Sequence, residues 1–143
     1  MNSIAVSALY LASALTFVAA LLHYACIAWG APGFRFLGAG EPMAKMAERG
    51  HWYPTVISIV IGTVLVVWAA YALSAAGAIA PLPLQRPILP AIAAIFLLRG
   101  MAFPWLKPIF PDNSPLFWLT TSGICLLIGS LYALGTYAVW ERL

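Results

Sequence analysis

Long hydrophobic runs separated by short polar segments make up most of this chain. The four runs cover residues 4–29, 53–76, 88–103 and 116–140. A helix needs about 20 mostly apolar residues to cross a hydrocarbon layer of about 30 Å. Backbone polar groups in lipid must also be satisfied within the segment, which favours helices. The pattern therefore predicts an all-α fold, a four-transmembrane-helix bundle that forms a single membrane domain over residues 1–143.

The third run is the least regular of the four. It lies between Pro87 and Pro104 and contains Arg99. Pro90, near its start, is compatible with a helix because an amide in the first turn has no helical partner. The sequence predicts a span at residues 88–103 that is shorter than the other three.

The first connection, residues 30–52, is the longest and most polar. Pro42 stands where a first helical residue is expected, with Glu41 before it as an N-cap. We therefore predict a short amphipathic helix over residues 43–49. Two further connections are rich in proline: residues 77–87 are predicted to be stiff and extended, and residues 104–115 rigid and poor in helix.

Small residues recur at four-residue spacing within the predicted helices. The stripes are Ala8, Ala12, Thr16 and Ala20 in the first helix, Ser58 and Gly62 in the second, and Gly129 and Ala133 in the fourth. Such stripes allow helix backbones to approach closely. We interpret them as the seams along which the bundle packs.

Composition excludes several classes of protein. Hydrophobic residues make up 64% of the chain and charged residues 8%, and the mean hydropathy is +0.96. Ordinary soluble domains are about half apolar and about one quarter charged. A soluble enzyme, a disulfide scaffold, a disordered linker and a nucleic-acid binder are therefore poor interpretations. An integral membrane protein is therefore expected, with membrane lipids as its partners.

The net charge of +3 comes from basic residues scattered singly along the chain. The connections on one side carry Arg35, Lys45, Arg49 and Lys107, and the other side carries Arg86 and Arg142. By the positive-inside rule, loops 1 and 3 are predicted to be cytoplasmic. Both cysteines lie in apolar runs, and we expect no metal site and no cofactor.

Polar side chains from all four predicted helices lie at one depth, beneath the face formed by loops 1 and 3. They include His23, Ser58, Arg99 and Thr121. The other half of the bundle has few polar residues. An arginine at this depth is costly unless it extends to the interface, pairs or reaches water. Two alternatives stay open: Arg99 extends to the interface, or it turns inward.

An inward Arg99 is predicted to pair with Glu41 or Asp112. The loop that carries Arg35 and Glu41 would then cover a polar pocket. His23 could then form a hydrogen bond within this pocket. Alternatively, its neutral ring bonds to a neighbouring hydroxyl or carbonyl outside any ligand site.

Two short motifs carry a resemblance. His23–Gly30 reads HYACIAWG and Phe96–Gly100 reads FLLRG. With these motifs the chain resembles uncharacterised bacterial four-helix membrane proteins, and its helix order is similar to that of the DoxX-like group. The resemblance implies that His23 and Arg99 belong together, and it implies no reaction.

The first hypothesis is a small membrane protein that binds an amphipathic molecule, a lipid or a quinone-like compound, in this polar layer. Its ligand-binding residues would be His23, Arg99, Glu41, Arg35, Thr121 and Ser58. The second hypothesis is an accessory structural subunit, and the third is a membrane enzyme that uses Glu41 and His23 as acid and base on a lipid or isoprenoid. Catalytic residues are not identified, and a homo-oligomer or a larger membrane complex is expected.

Overall fold

The computed structural model describes residues 3–143, and within that range it contains helices but no strand. The predicted single domain also includes residues 1 and 2, which lie outside the described residues. The described part of the chain forms the α-helices α1 (Ser3–Trp29), α2 (Ala31–Phe36), α3 (Glu41–Glu48), α4 (Trp52–Ala75), α5 (Gln85–Met101), α6 (Phe103–Leu106) and α7 (Pro115–Val139). A 3-10 turn, Trp140–Arg142, continues α7.

Three helical segments are long and apolar enough to cross a membrane. They are Ser3–Trp29, Trp52–Ala75 and Pro115–Arg142. The span predicted at residues 88–103 corresponds to α5, which has 17 residues. At 1.5 Å per residue, α5 is about 25 Å long, less than the hydrocarbon thickness of about 30 Å. The structure thus shows an all-helical protein with three candidate spans.

Close approach of small residues determines how the long helices pack. α1 packs against both α4 and α7, and α5 packs against α7. Gly62 of α4 faces the ring of Tyr24 in α1, and Gly129 of α7 faces Leu97 of α5. The residues of the α1 stripe that are fully buried are Ala12, Thr16 and Ala20. The interpretation of the small-residue stripes as packing seams is confirmed at these positions.

An aromatic cluster joins α4, α5 and α7 at mid-depth. The Phe96 ring lies 5.6 Å from that of Trp68 in a T-shaped arrangement and 6.0 Å from that of Tyr132 in a stacked one. The Tyr132 hydroxyl donates to the Trp68 carbonyl at 2.9 Å and lies 3.3 Å from the Thr16 hydroxyl. This part of the core therefore contains polar groups that are hydrogen-bonded to one another, as buried polar groups must be.

The first connection contains two short helices where the sequence predicted one. We call residues 31–48, which comprise α2, α3 and the turn between them, the cap. Gly30 has a φ of 75°, which turns the chain after α1 and allows Pro32 to occupy the first turn of a new helix. Gly40, with a φ of 95°, is the N-cap of α3, and Glu41 is its first residue. The prediction that Glu41 is the N-cap is therefore wrong.

The connection at residues 104–115 contains the end of one short helix, α6, and is otherwise without helix until Pro115, as predicted. Pro104 stands in the first turn of α6, because a proline there removes an amide that has no helical partner. After α6 the chain continues in turns until Ser114, whose side-chain oxygen accepts a hydrogen bond from the Phe117 amide at 3.1 Å and so caps α7.

We call the end of the long helices that bears the cap the cap face, and the opposite end the terminal face. The terminal face has more polar contacts than the sequence indicated. The Ser74 hydroxyl donates to the Ala80 carbonyl at 3.0 Å and accepts from the Gln85 amide group, and the Tyr71 hydroxyl donates to the Pro83 carbonyl at 2.9 Å. The proline-rich turn leaves carbonyls that need donors. The prediction that this half has few polar residues is wrong.

Candidate ligand-binding site

Arg35 and Glu41, two of the predicted site residues, bind each other within the cap. Arg35 Nε donates to Glu41 Oε2 at 3.0 Å, and Arg35 Nη2 donates to Glu41 Oε1 at 2.6 Å. Arg35 Nη2 also donates to Glu48 Oε1 at 2.8 Å. These hydrogen bonds raise the pKa of the Arg35 guanidinium and hold the pKa of the Glu41 carboxyl below its ordinary value. Glu41 is therefore an ionised structural partner of Arg35.

The cap is attached to the start of α7. Asp112 Oδ2 accepts a hydrogen bond from the Glu41 backbone amide at 3.2 Å, and Asn113 Nδ2 donates to the Gly38 carbonyl at 3.0 Å. Gly38 has a φ of 75°, and a Cβ there would overlap the Phe117 ring. Glycine at this position thus allows the cap to lie directly against the first turn of α7.

Because Glu41 is ionised in its pair with Arg35, we expect the stability of the cap to depend on pH. Because its folded-state pKa is lowered, Glu41 stabilises the cap above its unfolded pKa of about 4.3, and the effect is lost as the pH falls through the folded value. Amide hydrogen exchange in residues 31–48 should be slower in the wild type than in Glu41→Gln at pH 6, after correction for the intrinsic pH dependence. The difference should shrink below about pH 4. An equal difference at both pH values would contradict the role of the carboxylate.

Arg99 does not pair with an acid among residues 3–143. Both ion pairs in this part of the chain belong to Arg35, with Glu41 and Glu48. The prediction that Arg99 pairs with Glu41 or Asp112 is wrong. Glu41 binds Arg35 within the cap, and Asp112 accepts a hydrogen bond from the Glu41 backbone amide.

Arg99 instead lies against α7. Its guanidinium carbon is 5.2 Å from the centroid of the Trp118 ring, a cation–π arrangement. The side chain is half-buried, and its Nη1 atom is buried without a hydrogen-bond partner. Trp118 is 3% exposed and Ser122 is 5% exposed, and Trp118 Nε1 and Ser122 Oγ are also buried without partners. We call Arg99, Trp118 and Ser122 the donor cluster.

The rotation of α7 about its axis decides which of its side chains face α5, and this rotation was not identified from the sequence. Trp118, Ser122 and Gly129 share one face of α7, and that face packs on α5: Gly129 faces Leu97, and the Ser122 carbonyl approaches Gly100. Thr121 is on a neighbouring face, where its hydroxyl donates to the Phe117 carbonyl at 2.9 Å. The helical spacing of residues 118, 122 and 129 was the sequence signal that could have placed Trp118 and Ser122 on the face that packs on α5.

His23 and Ser58 occupy α1 and α4. The half-buried His23 has Nδ1 at 2.7 Å from the Ala19 carbonyl, one turn earlier in the same helix, so Nδ1 carries the proton. Ser58 is buried on α4. Among the six predicted site residues, within residues 3–143, only Arg35 and Glu41 are joined by a hydrogen bond or an ion pair. Within residues 3–143 Glu41 is bonded to Arg35 and His23 to the Ala19 carbonyl, and no bond joins Glu41 to His23.

The donor cluster has a clear chemical requirement. Arginine and tryptophan nitrogens only donate hydrogen bonds, and the serine hydroxyl both donates and accepts. A buried donor without an acceptor costs about 1–3 kcal/mol, and more when it is charged. An oxygen acceptor from outside the described residues would supply the partner that these donors lack. Within residues 3–143 no group of His, Cys, Asp and Glu is arranged to hold a metal ion.

No known protein family matches the chain, and neither does any curated protein or solved structure.

Proposed function

We propose that this chain is a small integral membrane protein that binds an amphipathic ligand, a lipid or a quinone-like molecule, through an oxygen acceptor on its head group. The observation that carries the proposal is the donor cluster: three buried polar atoms of Arg99, Trp118 and Ser122, none with a hydrogen-bond partner among residues 3–143. Arg99 supplies positive charge, and the indole and the hydroxyl supply direction. Phosphate, carboxylate and quinone carbonyl oxygens share the acceptor chemistry that this set requires.

The position of the cluster favours a ligand with an apolar tail. Arg99 lies in the last turn of α5 and Trp118 in the first turn of α7, so the donors are near the cap face. The neighbouring residues Leu98 and Leu119 are 62% and 68% exposed. A head group at the cluster would leave its tail beside these leucines and the hydrocarbon. The long, half-buried Arg99 side chain is the part that turns to admit the acceptor.

The proposal includes a fourth span and a sidedness. α5 and α6 are separated by Ala102 alone, and the segment from Gln85 to Leu106 at 1.5 Å per residue is about 33 Å long, enough to cross. With this fourth span, the proposed bundle has the helix order of the DoxX-like proteins and lies in a bacterial inner membrane, with loops 1 and 3 cytoplasmic.

The sidedness is tested in a variant without Cys26 and Cys125. When Lys107→Cys is added to that variant, the new thiol should react only from the cytoplasmic side.

The functional test measures binding of defined probes by native mass spectrometry of protein extracted in mild detergent. The probes are a short-chain phosphatidic acid, decanoate and decylubiquinone, one for each acceptor chemistry. At least one should bind the wild type and bind Arg99→Leu at least 10-fold more weakly, as expected for the loss of a charge-assisted hydrogen bond of about 1.5–3 kcal/mol.

Two adjacent hydroxyls provide a matched control. Ser122→Ala removes an unpartnered hydroxyl and should weaken probe binding, whereas Thr121→Ala removes one already donated to the Phe117 carbonyl and should not. Binding of no probe, or equal binding by Arg99→Leu, would overturn the proposal.

A further inference from the structure

A groove between α5 and α7 extends from Leu97 to Trp140 and Glu141 at the terminal face, whereas the donor cluster lies at the cap face. Its volume is about 770 Å³, and its walls include Pro90, Ala93 and Ala94 of α5 and Ala133 and Thr136 of α7. This volume is within the range of about 300–1,000 Å³ that is usual for ligand sites. The alanine side chains that line the groove are small and apolar, and such walls suit an extended acyl chain.

One polar group inside the groove is not satisfied by the protein. Thr136 is 4% exposed, and its hydroxyl oxygen is buried without a hydrogen-bond partner. A threonine within a helix commonly donates to the carbonyl one turn earlier, as Thr16 does to Ala12 at 2.7 Å. Within residues 3–143 Thr136 has no such bond, so its buried hydroxyl lacks an acceptor, which a ligand oxygen in the groove would supply after rotation of the Thr136 side chain.

Charges of both signs lie at the mouth of the groove. Arg86 precedes Pro90 by four residues and so lies on the same face of α5, and its guanidinium carbon is 5.8 Å from the centroid of the Trp140 ring, which lines the groove. Glu141 also lines the groove. Within residues 3–143 neither Arg86 nor Glu141 forms an ion pair. A head group that carries both a cation and an anion complements this pair.

We propose that this groove binds a phospholipid whose head group carries a primary amine. The phosphate lies at Arg86, the ammonium group at Glu141, an ester carbonyl at the Thr136 hydroxyl, and one acyl chain along the alanines. The distances fit this order, because Thr136 precedes Trp140 by four residues, about 6 Å along the helix. The head-group layer on each side of a bilayer is also several ångströms thick.

A second groove provides an internal comparison. It has a volume of about 400 Å³ and lies between α4 and α5, lined by Trp68, Tyr71 and Ile88 among others. The Tyr71 hydroxyl is already donated to the Pro83 carbonyl, and no charged residue lines this groove. It has the apolar walls of the first groove without the polar groups that would select a head group.

Native mass spectrometry of the detergent-extracted full chain tests the proposal with four probes: phosphatidylethanolamine, phosphatidylcholine, phosphatidylglycerol and diacylglycerol. Phosphatidylethanolamine should bind at least 10-fold more tightly than diacylglycerol and more tightly than the other two. Arg86→Gln should weaken its binding at least 10-fold, and Glu141→Gln should remove the preference over phosphatidylglycerol. Lys107→Gln, a change of charge at the cap face, should leave binding unchanged.

Thr136→Val tests the hydroxyl with little change in shape and should weaken binding several-fold. Equal binding of diacylglycerol, unchanged binding by Arg86→Gln, or a second copy of the chain in the groove, seen as a dimer that excludes lipid, would each overturn the inference. Arg99→Leu should not affect phosphatidylethanolamine binding at the groove, so this site and the donor cluster are tested separately.

Discussion

Arg99→Leu should make the protein more stable when no ligand is present and less stable than the wild type when the ligand is saturating. Without ligand, the wild type buries Nη1 of Arg99 with no acceptor, which costs at least about 1–3 kcal/mol. Leucine removes that cost and loses a cation–π contact with Trp118, worth about 0.5–2 kcal/mol. The expected net change is a gain of about 1 kcal/mol in the free energy of unfolding.

Bound ligand should make the wild type more stable to unfolding than Arg99→Leu. A ligand at 100 times its dissociation constant stabilises the protein that binds it by about 2.7 kcal/mol. Arg99→Leu lacks the charged donor and binds the ligand weakly, so the ligand should stabilise it little. The measurement is the free energy of unfolding in detergent, before and after addition of whichever probe binds the wild type.

Two further variants separate charge from geometry. Arg99→Lys keeps the charge but loses the planar donor set, so it should bind the probe more weakly than the wild type without gaining the stability of the leucine variant. Trp118→Phe keeps a ring under the guanidinium and removes the indole donor. It should weaken probe binding and leave the ligand-free stability nearly unchanged. If Arg99→Leu were the less stable protein without ligand, the guanidinium would be satisfied by the protein itself.

The apolar runs were sufficient to predict the long helices. Runs of this length with almost no charge predict helices regardless of tertiary context, and α1, α4 and α7 are long enough to cross a membrane. The short helices were harder to predict. α2 depends on the positive φ of Gly30, and glycine permits that conformation without requiring it.

The depth of a side chain was predictable, whereas its direction was not. Counting residues from the helix ends placed Arg99 near the cap face, where its helix ends at Met101. A difference of one residue on α7 rotates a side chain by about 100°, which separates the buried Ser122 from Thr121. The partner of Glu41 was also not predictable, because three cationic residues lie in residues 30–52 and only the turn between α2 and α3 brings Arg35 to it.

Gly129→Ala and Gly123→Ala should change stability in opposite directions, although both are glycine-to-alanine substitutions in α7. A Cβ at Gly129 would lie 2.8 Å from Leu97 Cγ and 2.9 Å from the Leu97 backbone nitrogen. Because backbone cannot rotate away as a side chain can, α5 must move, and overpacking of this kind costs about 1–3 kcal/mol. A Cβ at Gly123 would meet no atom within 4 Å. That substitution should stabilise the helix by about 0.4–1 kcal/mol.

The two variants also connect packing to binding. Leu97 and Arg99 are on the same helix, so a displacement of α5 at Gly129 moves the guanidinium relative to Trp118 and Ser122. Gly129→Ala should therefore weaken probe binding at the donor cluster as well as lower the free energy of unfolding, whereas Gly123→Ala should leave probe binding unchanged. Unfolding in a denaturing detergent and probe titration by native mass spectrometry measure the two effects on the same preparations. Equal stability of the two variants would contradict the close packing of α5 on α7, because a Cβ meets Leu97 at Gly129 and no described atom at Gly123.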